Sequence, residues 1–298
     1  MRIGIIGAGK VGVTLGKYLT DAGVTVSGFY SRTRESAAIA ADFVQTTVYI
    51  DLEDLVRASD TLFITTPDGE IGKVWDCIAG YDLTNKIICH FSGSLSSNVF
   101  SGIEETGASG LSIHPMYAFS DKFSSYQQFH TAYLVMEGQE NARMPMQALF
   151  GGSLGHTILT IDAKDKMKYH AAAAMASNYM IAMLETALKL FVECGFSYED
   201  SLAMLRPIVQ NNVASMLEKG PVEALTGPVE RGDVSTVEKH LDVLAGGPAE
   251  TVYRELGEML VNIAKRKHPE WDDTAMKNCL RLYRKEDSSM YPNNRIDS

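Results

Sequence analysis

Several stretches of this 298-residue chain carry side chains whose types and spacing could do chemistry. In GIIGAGKVG, Gly7, Gly9 and Gly12 stand in a GxGxxG spacing. The first glycine permits a tight turn, the second lets the backbone approach a pyrophosphate, and the third lets a helix pack closely on its strand. Phosphate oxygens can then meet the free N–H groups that open the helix, around Lys10 and Val11, together with its positive end. Where the second strand ends, an NAD site offers a carboxylate to the ribose hydroxyls. The segment GFYSRTRES offers none: Arg32 presents a planar fork to a 2′-phosphate, and Ser31 and Thr33 add hydroxyls, so NADP(H) is the expected cofactor. The plainer alternative is that Arg32 and Arg34 solvate a loop.

Ligands of open α/β sheets collect outside the carboxyl ends of the strands. TTPDGEI follows one candidate strand with Thr66 and Pro67, expected at the cofactor, and with Asp68, a candidate helix cap. CHFSGSLSS carries His90, Ser92, Gly93 and Ser94; Ser92 and Gly93 are candidate substrate contacts, although Ser92 fits a capping hydroxyl equally well. In SIHPMYAF, Pro115 restricts His114 to an extended backbone and leaves its imidazole in the crevice, as a reacting group or a satisfied structural histidine. The helical stretch DAKDKMKYHAAAAMASNYMIAMLE brings Lys166, His170, Ser177 and Ile181 to one face at ~100° per residue, with Asn178 flanking them. Further on, Ser235 and Glu238 form a capping-box pattern beside Thr226 and Arg231. That loop is either a clamp for a substrate carboxylate or a well-capped turn.

The elements that must position these groups fall into two patterns. Short β-branched runs at Arg2–Ile6, Val24–Tyr30, Thr61–Thr65, Lys86–His90, Gly110–His114, Ala132–Glu137 and His156–Ile161 alternate with helical segments, as in a parallel sheet covered on both faces. From Ala163 onward helical periodicity takes over, at Lys164–Cys194, Tyr198–Lys219, Ser235–Leu244 and Ala249–Lys267. The expected fold is α/β: a Rossmann dinucleotide-binding domain over residues 1–162, then an all-helical domain over 163–298 for substrate binding and dimerisation. The closing RKEDSSMYPNNRIDS reads as a loose tail.

Composition narrows the function. With 37 acidic against 27 basic side chains, the net charge of −10 repels a nucleic-acid backbone. Cys77, Cys89, Cys194 and Cys279 show no CxxC spacing, so no metal site or disulfide scaffold is indicated and a reducing, cytoplasmic setting is expected. The longest uncharged stretch near the middle, Tyr169–Leu184, is shorter than the ~20 residues that cross a bilayer.

With these residues in place, the chain resembles the 6-phosphogluconate dehydrogenase-like superfamily, which joins a Rossmann domain to a helical dimer-forming domain. LTGP and the helical segment before it are similar to pyrroline-5-carboxylate reductases, where a comparable threonine-glycine loop receives the substrate carboxylate. HFSGSLSS, HPMYAF, DKMKYHAAAAMASNY and LTGPVERGD together resemble the Rossmann family that includes the alternative ketopantoate reductases. The resemblance implies Gly7, Gly9, Gly12 and Arg32 for NADP, and His114, His170 and Asn178 near the nicotinamide and substrate. One departure stands out: related reductases carry a catalytic lysine four residues before the asparagine, and here that position is Ala174. His170 lies one turn further, about 6 Å along a helix axis, and Lys166 about 12 Å from Ala174, which favours His170 as proton donor with Lys166 tuning it.

The expected activity is NADPH-dependent reduction of a small 2-oxo acid, 2-dehydropantoate to pantoate, by a homodimer. His170 or His114 would donate, Asn178 and Ser92 orient, and the Thr226–Arg231 loop anchor the carboxylate. An imine reductase of the pyrroline-5-carboxylate type needs no dedicated acid and is the first alternative. A non-catalytic NADP(H) sensor is the second.

Overall fold

The computed structural model of the chain describes residues 1–281; the tail from Arg284 lies outside them. Contacts divide the chain into two compact units, Met1–Ala176 and a second beginning at Ser177. The sequence pattern changes earlier, after Asp162. The helix that follows Asp162 stays with the first unit because its Lys166 is bonded into the sheet (below).

The first unit runs β1 (Arg2–Ile6), α1 (Lys10–Asp21), β2 (Thr25–Tyr30), α2 (Arg34–Val44), β3 (Thr47–Val48), α3 (Leu52–Ala58), β4 (Thr61–Ile64), α4 (Asp68–Ile78), β5 (Ile87–His90), β6 (Ser109–Met116), β7 (Tyr133–Gly138), α5 (Glu140–Gln147), β8 (Ile158–Thr160) and α6 (Lys166–Ala174). The eight strands form one sheet in the order β3-β2-β1-β4-β5-β6-β7-β8. Alternate strand residues enter opposite cores: Ile3, Ile5 and Phe63 pack with α1 and α2, whereas Ile6, Leu62, Ile64 and Ile88 pack with Leu55 of α3 and Trp75 of α4. β1 and β4 are buried on both faces, which is why they read as nearly unbroken apolar runs.

The sheet departs from the expected all-parallel arrangement at one place. β6 pairs antiparallel with β7, while every other pair is parallel. A parallel return needs a crossover long enough to recross the sheet; residues 117–132 hold only a short 3₁₀ segment, Ser125–Thr131, so the chain comes back beside β6 in the reverse direction. The strand β3, two residues long, is too short to leave a periodic signal.

The second unit begins within a π-helical turn, Met175–Tyr179, and continues through α7 (Met180–Glu193), α8 (Tyr198–Ala224), α9 (Val234–Leu244), α10 (Pro248–Lys267) and α11 (Thr274–Arg281). Its core joins Val237 and Leu241 of α9 to Val261 of α10 and Met276 and Leu280 of α11. Arg254 ties α10 to α11 by donating to the carbonyls of Cys279 and Leu280 at 3.0 and 3.1 Å. Within α8 the regular helix breaks at Gly220, whose φ is +79°, just past the sequence-based end at Lys219. Among the described residues no helix is long and apolar enough to cross a membrane.

Two helix starts differ from the sequence reading. Pro67, not Asp68, is the N-cap of α4, and Asp68 is its first helical residue. Asp233, not Ser235, caps α9, accepting from the backbone N–H of Thr236 at 3.1 Å. Asp233 caps as well as Ser235 would, whereas Pro67 supplies no side-chain cap and leaves the Asp68 carboxylate free for other partners.

Candidate active site

The glycine turn is built as its spacing requires. Gly7 has φ +115°, a conformation open to glycine, and its carbonyl accepts from Thr65 Oγ1 at 2.9 Å, which locks the turn to the end of β4. A Cβ at Gly12 would collide with the Gly7 carbonyl and stand 2.5 Å from Thr65 Oγ1, so α1 approaches β1 only because nothing projects there. A Cβ at Gly9 would meet nothing within 4 Å. Gly9 is the N-cap of α1 and supplies no side chain to its first N–H groups, and no acidic residue stands in that turn, so the helix start is open to an anion.

A cavity of about 530 Å³ opens beside this turn. Gly7, Gly9, Ser31, Arg32, Thr66 and Pro67 line it. Lys10 does not; its ammonium donates to the Ser120 carbonyl at 2.7 Å. Val11 packs against the core and Gly12 is buried in the turn. Thr66 Oγ1 is buried with no hydrogen-bond partner among the described residues, an unmet polar group in the cavity wall. Arg32 is exposed, hydrogen-bonds to no described residue, and its charge helps lower the pKa of Glu70, whose main partner is Lys73 at 2.8 Å. Thr33 donates to Ser36 at 2.7 Å. Ser36 and Lys73 were not singled out from sequence, although both face the cavity; Lys73 belongs to α4, and only the sheet order brings it near the β2 tip.

A second cluster lies at the ends of β5 and β6, joined to the first through Asp68. The Asp68 carboxylate accepts from Ser92 Oγ at 2.8 Å and Ser94 Oγ at 2.7 Å. Ser92 Oγ in turn accepts from the N–H groups of Ser94 and Leu95 at 3.1 and 3.0 Å. The Ser92 hydroxyl is thus spent shaping the turn that presents Gly93. His90, fully buried, is satisfied on both nitrogens: Nδ1 accepts from Ser92 N–H and Nε2 donates to the Ser96 carbonyl, each at 3.2 Å. Burial pulls its pKa down to about 4.

Over Gly93 two other imidazoles converge. A Cβ there would lie 2.5 Å from His170 Nδ1 and 2.8 Å from His114 Nε2. Only a glycine leaves this space free. The rings are nearly perpendicular, with centroids 6.0 Å apart. His170 Nδ1 is buried without a hydrogen-bond partner among the described residues. On its far side His114 Nδ1 meets the Tyr169 hydroxyl at 2.7 Å. Burial, reinforced by the Lys166 and His170 charges, takes the His114 pKa down to about 4, so its ring is neutral at pH 7. Burial also pushes the Tyr169 phenol up to about 12.

Lys166 is 1% exposed. Its ammonium donates to Ser112 Oγ at 2.7 Å and to the Ser92 carbonyl at 3.1 Å, pinning α6 to the sheet end. Burial lowers its pKa to about 8, against the opposing pull of Glu137 and Asp68. Its charge acts on His114 and His90.

Residues 1–115 match the family model for a Rossmann-like domain, and residues 132–260 match that for a domain of unknown function, DUF2520. The fold is Rossmann-like over the first of these segments. Among solved structures, protein TM1727 from Thermotoga maritima aligns with a TM-score of 0.71 at 21% identity, covering 89% of this chain and 99% of that one. An imine reductase from Myxococcus stipitatus in complex with NADP⁺ gives 0.60 at 17% identity, with coverages of 93% and 99%. Pyrroline carboxylate reductase from Plasmodium falciparum with NADP bound gives 0.58 at 16% identity, with coverages of 93% and 98%. At these identities the likeness is one of fold. No curated protein matches the sequence.

The remaining sequence-based candidates belong to the second unit. Asn178 is exposed within the π-helical turn, where its Oδ1 accepts from Ser177 Oγ at 2.8 Å. That turn interrupts the single α-helix read over Lys164–Cys194, so the α-helical spacing on which the shared face of Lys166, His170, Ser177 and Ile181 was based does not run through it unbroken. Thr226 lines a largely apolar cavity of about 390 Å³ within the helical unit, with Met183, Leu190, Leu256 and the hydrogen-bonded pair His240–Tyr253. Arg231 is exposed on the loop before α9 and helps lower the pKa of Asp233. Tyr169 was missed because periodicity puts it about 100° round the helix from His170, and only the position of β6 shows what it touches.

Proposed function

We propose that this protein is an NADPH-dependent reductase of a small 2-oxo acid, with 2-dehydropantoate as the leading substrate. The observation that carries this reading is the pair of imidazole nitrogens facing one another across Gly93, on a loop tied through Asp68 to the helix that follows Thr66 and Pro67. NADP(H) fits the first cavity: the open Gly9 backbone and uncapped α1 start suit the pyrophosphate, and the unmet Thr66 hydroxyl supplies a further contact. Ser31 and Arg32 would take the 2′-phosphate. When bound, NADPH supplies a hydride. The protein must then stabilise and protonate the oxygen left behind.

His114, held neutral, is suited to give a hydrogen bond from a ring N–H rather than to lose a proton as an imidazolium. That leaves His170, whose inward nitrogen has no other partner, as the proton donor. Lys166 fixes α6 and depresses the His114 pKa, so its proposed role is positioning. Imine reduction is the second reading, favoured by solved folds that include an imine reductase and a pyrroline carboxylate reductase; an iminium carries its own charge and asks less of His170.

A panel of 2-oxo acids and cyclic imines, followed by NADPH absorbance, separates the two. Turnover of neither class despite tight NADPH binding would leave the sensor alternative standing. We further propose a homodimer through α7 and α8, whose Ile181, Ile208 and Leu217 are 66%, 57% and 75% exposed. Sedimentation of the wild type and of Leu217→Glu is expected to give dimer and monomer respectively; a monomeric wild type refutes it.

A further inference from the structure

Tyr169 has one hydrogen-bond partner among the described residues, Nδ1 of His114 at 2.7 Å. A 2.7 Å contact between a hydroxyl and an imidazole nitrogen admits two arrangements. In one, His114 carries its proton on Nδ1 and donates to the phenol oxygen; the phenol proton, in a half-buried side chain, then has no acceptor. In the other, the phenol donates to Nδ1, and the phenol proton and the Nδ1 lone pair are both satisfied. The second arrangement puts the single ring proton of neutral His114 on Nε2, the nitrogen that faces the space over Gly93. His170 follows Tyr169 directly in α6, so consecutive residues bracket His114: one hydroxyl behind the ring, one imidazole in front of it. The two contacts fall on different nitrogens of His114: Nδ1 meets Tyr169, and Nε2 shares the space over Gly93 with His170.

We propose that Tyr169 is a positioning residue that fixes the tautomer of His114, so that Nε2–H is the hydrogen-bond donor aimed at the reacting oxygen above Gly93. The assignment of a reacting oxygen rests on the reductase reading; the tautomer itself does not. This adds to the site a residue that touches neither cofactor nor substrate and acts through His114 alone. The same logic governs His90, whose Nδ1 accepts a backbone N–H and whose proton therefore sits on Nε2.

Long-range ¹H–¹⁵N spectra of histidine-labelled protein at pH 7 test this directly. The chain has 7 histidines, and His114→Gln identifies the His114 signals by subtraction. The wild type is expected to show neutral His114 protonated on Nε2. In Tyr169→Phe, which keeps the ring and removes the donor, the ratio of Nε2–H to Nδ1–H forms should fall by about fivefold, the equivalent of one ordinary hydrogen bond. Wild-type His114 protonated on Nδ1, or a tautomer unchanged in Tyr169→Phe, overturns the proposal. With a substrate in hand, Tyr169→Phe should lower kcat by no more than that same fivefold and leave the NADPH Kd within about twofold; an unchanged kcat beside a changed tautomer removes the catalytic consequence and points against the reductase reading of the His114 site.

Discussion

Gly7, Gly9 and Gly12 stand on one continuous turn, whereas Gly93, His114 and His170 arrive from three separate segments. The glycine turn needs a strand, a turn and a helix start that are consecutive in the chain, tied to the neighbouring strand ends by Thr65 and Tyr30. The imidazole crevice needs the serine loop held by Asp68, the register of β5 against β6, and α6 pinned by Lys166. The first is a backbone site with few charged groups, and the second is a side-chain site whose chemistry depends on burial. Perturbation should therefore separate them.

The largest effect is expected from His170→Ala, with a fall in turnover of about 10²–10⁴-fold and an NADPH Kd that stays within about threefold. A variant that turns over normally would remove His170 from the mechanism and collapse the contrast between the two regions. Acid should reach the crevice first. His90 and His114 have pKa values of about 4 in the folded protein, below an unfolded value near ~6.5, so the unfolded chain binds more protons between those limits. Their stability contribution is complete above about pH 6.5 and falls as pH drops toward 4, by about 2 kcal/mol for each histidine at pH 5. Urea unfolding at pH 7 and pH 5 measures the sum, and His114→Gln should flatten part of the slope; a slope unchanged in that variant would show the ring to be more solvated than its burial implies.

Within the glycine turn the effects at Gly12 and Gly9 should also part. Gly12→Ala forces a methyl into the Gly7 carbonyl and should cost roughly 1–3 kcal/mol in denaturant stability. Gly9→Ala meets open space and should leave stability within about 0.5 kcal/mol while weakening NADPH binding. Equal losses of stability in both variants would contradict the close helix approach argued for Gly12. At Arg32→Ala NADPH affinity should drop about tenfold, the value of one charge-assisted hydrogen bond, with NADH affinity unchanged. Parallel losses for both cofactors would mean that Arg32 does not read the 2′-phosphate.

Residues that act through neighbours in sequence were legible before any coordinates. The GxGxxG spacing, the absence of a carboxylate after Tyr30, the alternation of strands with helices and the shift to helical periodicity after Asp162 are all local or periodic signals. The lining of the first cavity by Gly7, Gly9, Ser31, Arg32, Thr66 and Pro67 follows from them. His114 and His170 could be singled out as imidazoles at a strand end and on a helix face, but not as partners across Gly93. The sequence context of Asp68 suggests a cap and cannot reveal two serines arriving from the next strand's loop. The reversal of β7 and the π-helical turn at Met175–Tyr179 were also missed: one follows from what a connection lacks, the other from a single extra residue within an otherwise ordinary helical pattern.

Chain-local physics thus determined the fold class, the glycine turn and the chemistry offered at each strand end, because backbone conformation and period depend on residues a few positions apart. Tertiary structure alone decided which imidazole is neutral, which lysine is buried and which tyrosine stands behind His114. Those properties come from desolvation and from contacts between segments dozens of residues apart, and no spacing along the chain encodes how far a side chain ends up from water.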